Sequence, residues 1–237
     1  MNYIFSYVKN ILLKPNERKI VNFNLFADAN FIVERLKAVY GGSFKIQILD
    51  TTASYNWFNE PMLAENLFGT SEYPHELSFP IELRKSTQLR IEIEDLSGVA
   101  NDIELTFEGY QVFQNIALSK KRFFTYPLDF TVPALDIIIL TLQVNNDTNF
   151  LLKKLYHWQN ENYSCQISMA FTNLSGRNIA SNFINIDNMF GSVLKPNNLK
   201  HPLKILKNSI ITIEIKNITD AVQNGQIVFD GVKLWEE

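Results

Sequence analysis

Apolar and polar residues alternate with a period of two along much of this chain. Leu89-Arg90-Ile91-Glu92-Ile93-Glu94 is the clearest stretch, and Ile211-Thr212-Ile213-Glu214-Ile215-Lys216 repeats it. In a strand every second side chain faces the same way, so Ile91 and Ile93 are expected inside and Arg90, Glu92 and Glu94 outside. One buried and one solvated face is the mark of an antiparallel sheet packed in a sandwich. The same reading places strands over 19–26, 31–37, 44–49, 54–58, 77–83 and 103–113. It places others over 137–144, 150–156, 163–171, 182–186, 199–206 and 226–235. Short strands separated by turn signals predict an all-β sandwich or jelly roll, with little helix. The first residues break the rhythm. Ile4, Val8 and Ile11 fall on one helical face with Phe5 and Leu12 beside it, which predicts a short amphipathic helix over 2–13. Such a helix has three places to dock: its own domain, a neighbouring subunit or a membrane surface. It lacks the charged start and small-residue cleavage site of a signal peptide.

The strand pattern occurs twice. Asn30-Phe31-Ile32-Val33-Glu34-Arg35-Leu36 returns 119 positions later as Asn149-Phe150-Leu151-Leu152-Lys153-Lys154-Leu155. The same spacing sets Ile20 on Ile139, Gln47 on Gln166 and Ile48 on Ile167. Beyond an intervening loop the spacing becomes 122. There Asn66-Leu67-Phe68-Gly69 matches Asn188-Met189-Phe190-Gly191, and Pro74, Leu77 and Pro80 match Pro196, Leu199 and Pro202. Phe107, Glu108 and Gly109 match Phe229, Asp230 and Gly231, and Phe113 falls on Trp235. Matches in chain order with one gap mean a duplicated domain, and a period this long is no solenoid unit. The predicted organisation is an N-terminal segment over 1–14, a first module over 15–113, a connector over 114–133 and a second module over 134–237. Gly69 and Gly191 are read as tight reversals, Gly109 and Gly231 as bulge positions, and Pro80 and Pro202 as edge-strand starts.

Composition removes several classes. Of 237 residues, 46% are hydrophobic and 20% charged, the balance of a globular chain with a core. A net charge of −3 gives no electrostatic reason to expect direct sequence-specific nucleic-acid binding. The lone Cys165 excludes an internal disulfide and reads as a buried structural thiol. His75, His157 and His201 lack ligand-spaced partners and read as ordinary surface or loop residues. Phosphate-loop and nucleophile-elbow motifs are absent. Glu92 with Glu214, and Glu108 with Asp230, are each one position seen twice rather than a catalytic pair. No catalytic, cofactor or metal residues are assigned, and the chain is expected not to be an enzyme. Trp57 and Trp158, with Tyr55 and Tyr163 nearby, leave open a sugar-stacking alternative, a carbohydrate-binding two-module protein.

The repeated NLFG/NMFG, proline-leucine-proline and FEG/FDG stretches in two tandem modules resemble the double-jelly-roll virion proteins of tailless bacteriophages and related viruses. The resemblance covers about residue 15 to 236. It implies a major capsid protein whose homotrimer presents six similar barrels as a pseudo-hexameric capsomer. It implies residence in the virion after assembly in the host cytoplasm, contact with other virion proteins and no cofactor. It also implies that an N-terminal helix reaches a neighbouring subunit or an internal membrane, which gives Ile4, Phe5, Val8, Ile11 and Leu12 as interaction residues. A minor head, decoration or tail component of a bacteriophage is the alternative within the same class.

Overall fold

The computed structural model describes residues 2–114, 119–160, 164–171, 177–178 and 180–235. The chain forms two compact units, Met1–Phe124 and Thr125–Glu237. Unit 1 contains β1 (Asn2–Leu13), β2 (Arg18–Asn24), β3 (Asn30–Val39), β4 (Phe44–Asp50), β5 (Tyr55–Asn56), β6 (Met62–Leu63), the single-turn α1 (Ala64–Leu67), β7 (His75–Leu83), β8 (Gln88–Asp95) and β9 (Asn101–Val112). β10 (Lys121–Val132) crosses the boundary. Unit 2 continues with β11 (Ile137–Gln143), β12 (Asn149–Gln159), β13 (Cys165–Phe171), β14 (Arg177–Asn178), β15 (Ile184–Asn185), α2 (Ile186–Met189), β16 (Asn197–Ile205), β17 (Ile210–Asn217) and β18 (Gln223–Leu234).

In unit 1 the sheets run β1-β9-β3-β7 and β2-β8-β4-β5, with β6 also on β4. In unit 2 they run β10-β18-β12-β16 and β11-β17-β13-β14, with β15 also on β13. With β5 and β6 counted as one strand, and β14 and β15 likewise, each unit places its first, last, third and sixth strands in one sheet and the rest in the other. That is the jelly-roll connection. Each unit is therefore an antiparallel jelly roll, as the alternating pattern predicts.

Two expectations are corrected here. Residues 2–13 form no helix. They are the first strand of unit 1, antiparallel to β9 from Asn2 opposite Val112 to Leu13 opposite Asn101. The core selects a period of two: Tyr7, Ile11 and Leu13 are buried with Phe5 half-buried, while Ile4, Val8 and Leu12 face out. Nor is 114–133 a connector, because Lys121–Val132 is a strand that crosses into unit 2 and pairs with β18. The two strands are repeat partners 119 apart. Tyr7 Oη accepts from Phe26 N at 3.0 Å, and Tyr126 Oη accepts from Asn145 N at 3.2 Å.

The register also corrects part of the repeat. Ile46 pairs with Ile93, and Ile167 pairs with Ile215. The structural counterpart of Ile167 is therefore Ile46, not Ile48. A slip of two keeps every side chain on its own face, so the face assignment survives the wrong match.

The core of unit 1 is aromatic. Phe107 of β9 lies 5.6 Å from Phe23 of β2 and 6.0 Å from Trp57, which ties the two sheets together. In unit 2, Phe229 meets Phe190 at 5.6 Å and Tyr126 meets Phe150 at 5.0 Å. Gly69 and Gly191 allow close backbone approach. A Cβ at either would lie within 2.5 Å of a carbonyl oxygen, that of Tyr73 or Lys195, and Gly191 also has φ +73°. Pro80 and Pro202 do lie on edge strands, but inside them rather than at their starts. Between the pairs Val33–Ile81 and Arg35–Glu76 the β3–β7 ladder is interrupted, which leaves room for a residue without an N–H.

Candidate assembly surface

The outer face of the β1-β9-β3-β7 sheet combines an apolar row with charges. Ile4, Val8 and Leu12 on edge strand β1 are 90%, 48% and 61% exposed. Opposite them on β9 stand Tyr110, Thr106 and Asp102. Val39 of β3 is exposed as well. Beside this row, Arg35 Nη1 lies 3.0 Å from Glu108 Oε1, Arg35 Nε lies 3.8 Å from Glu76 Oε1, and Lys37 Nζ also bonds Glu108. The Lys37 hydrogen bond holds the Glu108 carboxyl below its usual range; burial opposes it, and the Lys37 charge and Arg35 add to the lowering. The exposed Arg35–Glu76 pair adds at most about 1 kcal/mol, so it tunes the surface rather than holding the fold. The five interaction residues expected from the sequence are thus divided. Ile4, Val8 and Leu12 belong to a surface, Ile11 to the core, and Phe5 lies between. With no helix over 2–13, the membrane contact assigned to one loses its basis.

The repeat-equivalent face of unit 2 is different. Phe123, Thr125 and Pro127 of β10, partners of Ile4, Ser6 and Val8, are buried. On β18, Gln226, Val228, Asp230 and Val232 are buried too, where unit 1 has Glu104, Thr106, Glu108 and Tyr110. Glu104 is replaced by Gln226, and Thr106 and Tyr110 by Val228 and Val232, while Glu108 stays acidic as Asp230. Tyr156 donates to Asp230 Oδ2 at 3.3 Å, and burial raises the tyrosine well above its usual range.

Unit 1 also carries a cleft where the β4–β5 turn approaches β7. Tyr55, Trp57, Pro80 and Glu82 line it, together with Arg122 and Phe123. Tyr55 Oη donates to Phe123 O at 3.0 Å, and the Arg122 guanidinium sits 5.1 Å above the Tyr55 ring. Ser119 N donates to Glu82 Oε2 at 3.0 Å. Trp57 is buried, not a platform for sugar stacking, and Trp158 is half-buried. Tyr163 lies outside the described residues.

Among the described residues no group of histidine, cysteine and carboxylate side chains could hold a metal. Cys165 is buried, and burial raises its thiol. Two of the three histidines differ from expectation, because His75 and His157 are buried. His157 Nδ1 lies 2.7 Å from Gly191 O, and Nε2 lies 3.3 Å from Asp187 Oδ1. Burial lowers the imidazole below its usual range, although Gly191 and Asp187 pull the other way. The unfolded chain therefore takes up this proton first as pH falls. Stability tied to neutral His157 is complete above the ordinary imidazole range, near 6.5, and is lost as pH drops through the lower folded value. Denaturant melts between pH 7.5 and 5 should show unit 2 losing stability by no more than about 1.4 kcal/mol per pH unit from this one group. His157→Gln should flatten that slope. An unchanged slope would mean that other groups carry the effect.

Two tandem jelly rolls define a double-jelly-roll protein. Nearly the whole chain has the fold of a solved structure, the STIV major capsid protein, with a TM-score of 0.50, 10% identity, and coverage of 98% of this chain and 97% of that one. Weaker likenesses include a structure described as the triple jelly roll fold and turret assembly in an archaeal virus (TM-score 0.31, 11% identity, 94% of this chain and 59% of that one). Another is the infectious bursal disease virus VP2 subviral particle (TM-score 0.26, 9% identity, 99% and 72%). No family model and no curated protein matches the chain.

Proposed function

We propose that this protein is a viral structural protein, a major capsid subunit that associates as trimers and builds a shell. The observation that carries this reading is the fold match that spans 98% of this chain and 97% of a solved capsid protein structure. The physical logic agrees with it. Duplication lets three chains present six similar barrels, which suits six-coordinated lattice positions and requires no active site. Stiff sandwiches and broad sheet faces are what such a role needs, and the open face of unit 1 supplies one. Its partners are other copies of itself and further virion components, and its place is the virion, assembled in the host cytoplasm. A minor head or tail component shares the fold logic and differs in copy number per particle.

Native mass spectrometry of the purified chain, followed by electron microscopy of concentrated material, tests the proposal. Trimers or closed particles are the expected result. A strict monomer at every concentration, under conditions where both units are folded, overturns it.

A further inference from the structure

The two copies of the module carry different charge on the same edge strand. β16 closes one side of the β10-β18-β12-β16 sheet, as β7 closes its own sheet in unit 1. From Asn188 to Ile213 the chain holds Lys195, Lys200, Lys204 and Lys207 and no aspartate or glutamate. The corresponding stretch, 66–91, holds Glu72, Glu76 and Glu82 with Arg84, Lys85 and Arg90. With histidine neutral, the second copy carries +4 here and the first carries zero. We infer that the β16 edge of unit 2 binds the phosphate backbone of duplex nucleic acid, without regard to sequence. This goes beyond the capsid reading and stands without it.

The lysines are placed for such a contact. Lys195 lies in the turn before β16, Lys200 and Lys204 lie on the strand, and Lys207 lies in the turn after it. All four are exposed, and so is His201. A strand of 9 residues at about 3.3 Å each spreads these charges along roughly 30 Å. A duplex carries one charge per about 1.7 Å of its axis, so every lysine along that line has phosphates within reach.

Protection of a free strand edge explains a proline and a charge, but not the sign of the charge. β7 is an edge of the same kind, and it carries Pro80 with glutamates. In the second copy Lys204 stands for Glu82, Lys200 for Ser78, and the uncharged Leu194 and Asn198 for Glu72 and Glu76. Removal of every acid beside added lysines produces a surface of one sign, which attracts a polyanion even on a chain of net charge −3. The partner's class follows from what the surface lacks. Phe190 is the one phenylalanine, tyrosine or tryptophan of the stretch, and it is buried. No ring is therefore offered for stacking on unpaired bases or for anchoring in a lipid interface. Leu194 and Leu206 are exposed, but they flank opposite ends of β16 and form no continuous apolar face. Charge alone remains, and charge alone reads a phosphate backbone.

Fluorescence anisotropy with a labelled mixed-sequence duplex longer than the strand tests the assignment on the full-length protein. The wild type should bind with a Kd on the order of 10⁻⁶ M at about 50 mM salt, with a log–log salt slope of about −3 to −4 for four lysines. Lys200→Gln with Lys204→Gln should bind at least about tenfold more weakly and flatten that slope by about 2. Lys14→Gln with Lys85→Gln makes the same change in net charge on unit 1 and should bind as the wild type does. All four positions are exposed, so thermal melts should show both variants folded. A wild type that does not bind at low salt overturns the inference, as does a unit 1 variant weakened as much as the β16 variant. Phosphatidylserine vesicles bound as tightly as the duplex, or in its place, make the edge a membrane contact and overturn it as well. None of these results depends on trimers or particles, so the capsid reading stands or falls separately.

Discussion

Removing residues 2–13 is expected to unfold unit 1 and leave unit 2 folded. β1 contributes Tyr7, Ile11 and Leu13 to the core and half of Phe5. Full burial of a large apolar side chain stabilises by about 1.5–3 kcal/mol, so three such residues represent roughly 5–9 kcal/mol. A domain of this size has only about 5–15 kcal/mol to lose. Deletion also strips β9 of one partner along its whole length and exposes a ladder of unpaired amides and carbonyls. Hydrogen exchange reports the units separately: amides of β3 and β9 should lose protection, while those of β12 and β18 keep it. A truncated chain with both sets protected would show that β1 is dispensable. A dispensable helix over 2–13 predicts the opposite, a truncated subunit of nearly unchanged stability.

The error over 2–13 shows what a sequence pattern can and cannot decide. Ile4, Phe5, Val8, Ile11 and Leu12 satisfy a helical period, whereas the strand uses Phe5, Tyr7, Ile11 and Leu13, with Lys9 interrupting the inward row. A short apolar set fits both periods, and tertiary pairing selects between them. A usable signal was present, because the repeat spacing of 119 sets Tyr7 on Tyr126 and Phe5 on Phe124. Extending the repeat to the N-terminus identifies both first strands together and removes the connector. Where one face is buried and one solvated, as in 89–94, alternation alone was sufficient. Burial on the second face was not legible. Gln226 and Asp230 are buried polar residues, because their environment comes from segments far away in sequence. His157 is the same case, since its partners Gly191 and Asp187 lie some thirty residues on. Ile4, Val8 and Leu12 face out from the strand; they fall at every fourth position, which a helix and the outer face of a strand share.

Gly109→Ala, and equally Gly231→Ala, should each destabilise its own unit by at least about 3 kcal/mol, the upper end for forced overpacking. A Cβ at Gly109 would lie 1.8 Å from Ile32 O, and one at Gly231 would lie 2.1 Å from Leu151 O. The obstacle is backbone of the neighbouring strand, held in the sheet ladder, so no side-chain rotation relieves it. Both glycines face a register shift in that strand, between Val33 and Arg35 in unit 1 and between Leu152 and Lys154 in unit 2. Such a bulge bends the strand locally, and only glycine lets β9 or β18 pass this close to it. The same device at both repeat positions means that the bend belongs to the module. For domains of about this size, the loss corresponds to a melting shift of roughly 10–20 °C. Gly98→Ala is the internal comparison. Its φ is +69° but nothing lies within 4 Å of the added carbon, so only the conformational cost of about 1–2 kcal/mol remains. If Gly109→Ala melts within a few degrees of Gly98→Ala, the close approach at the bulge is not what the module depends on.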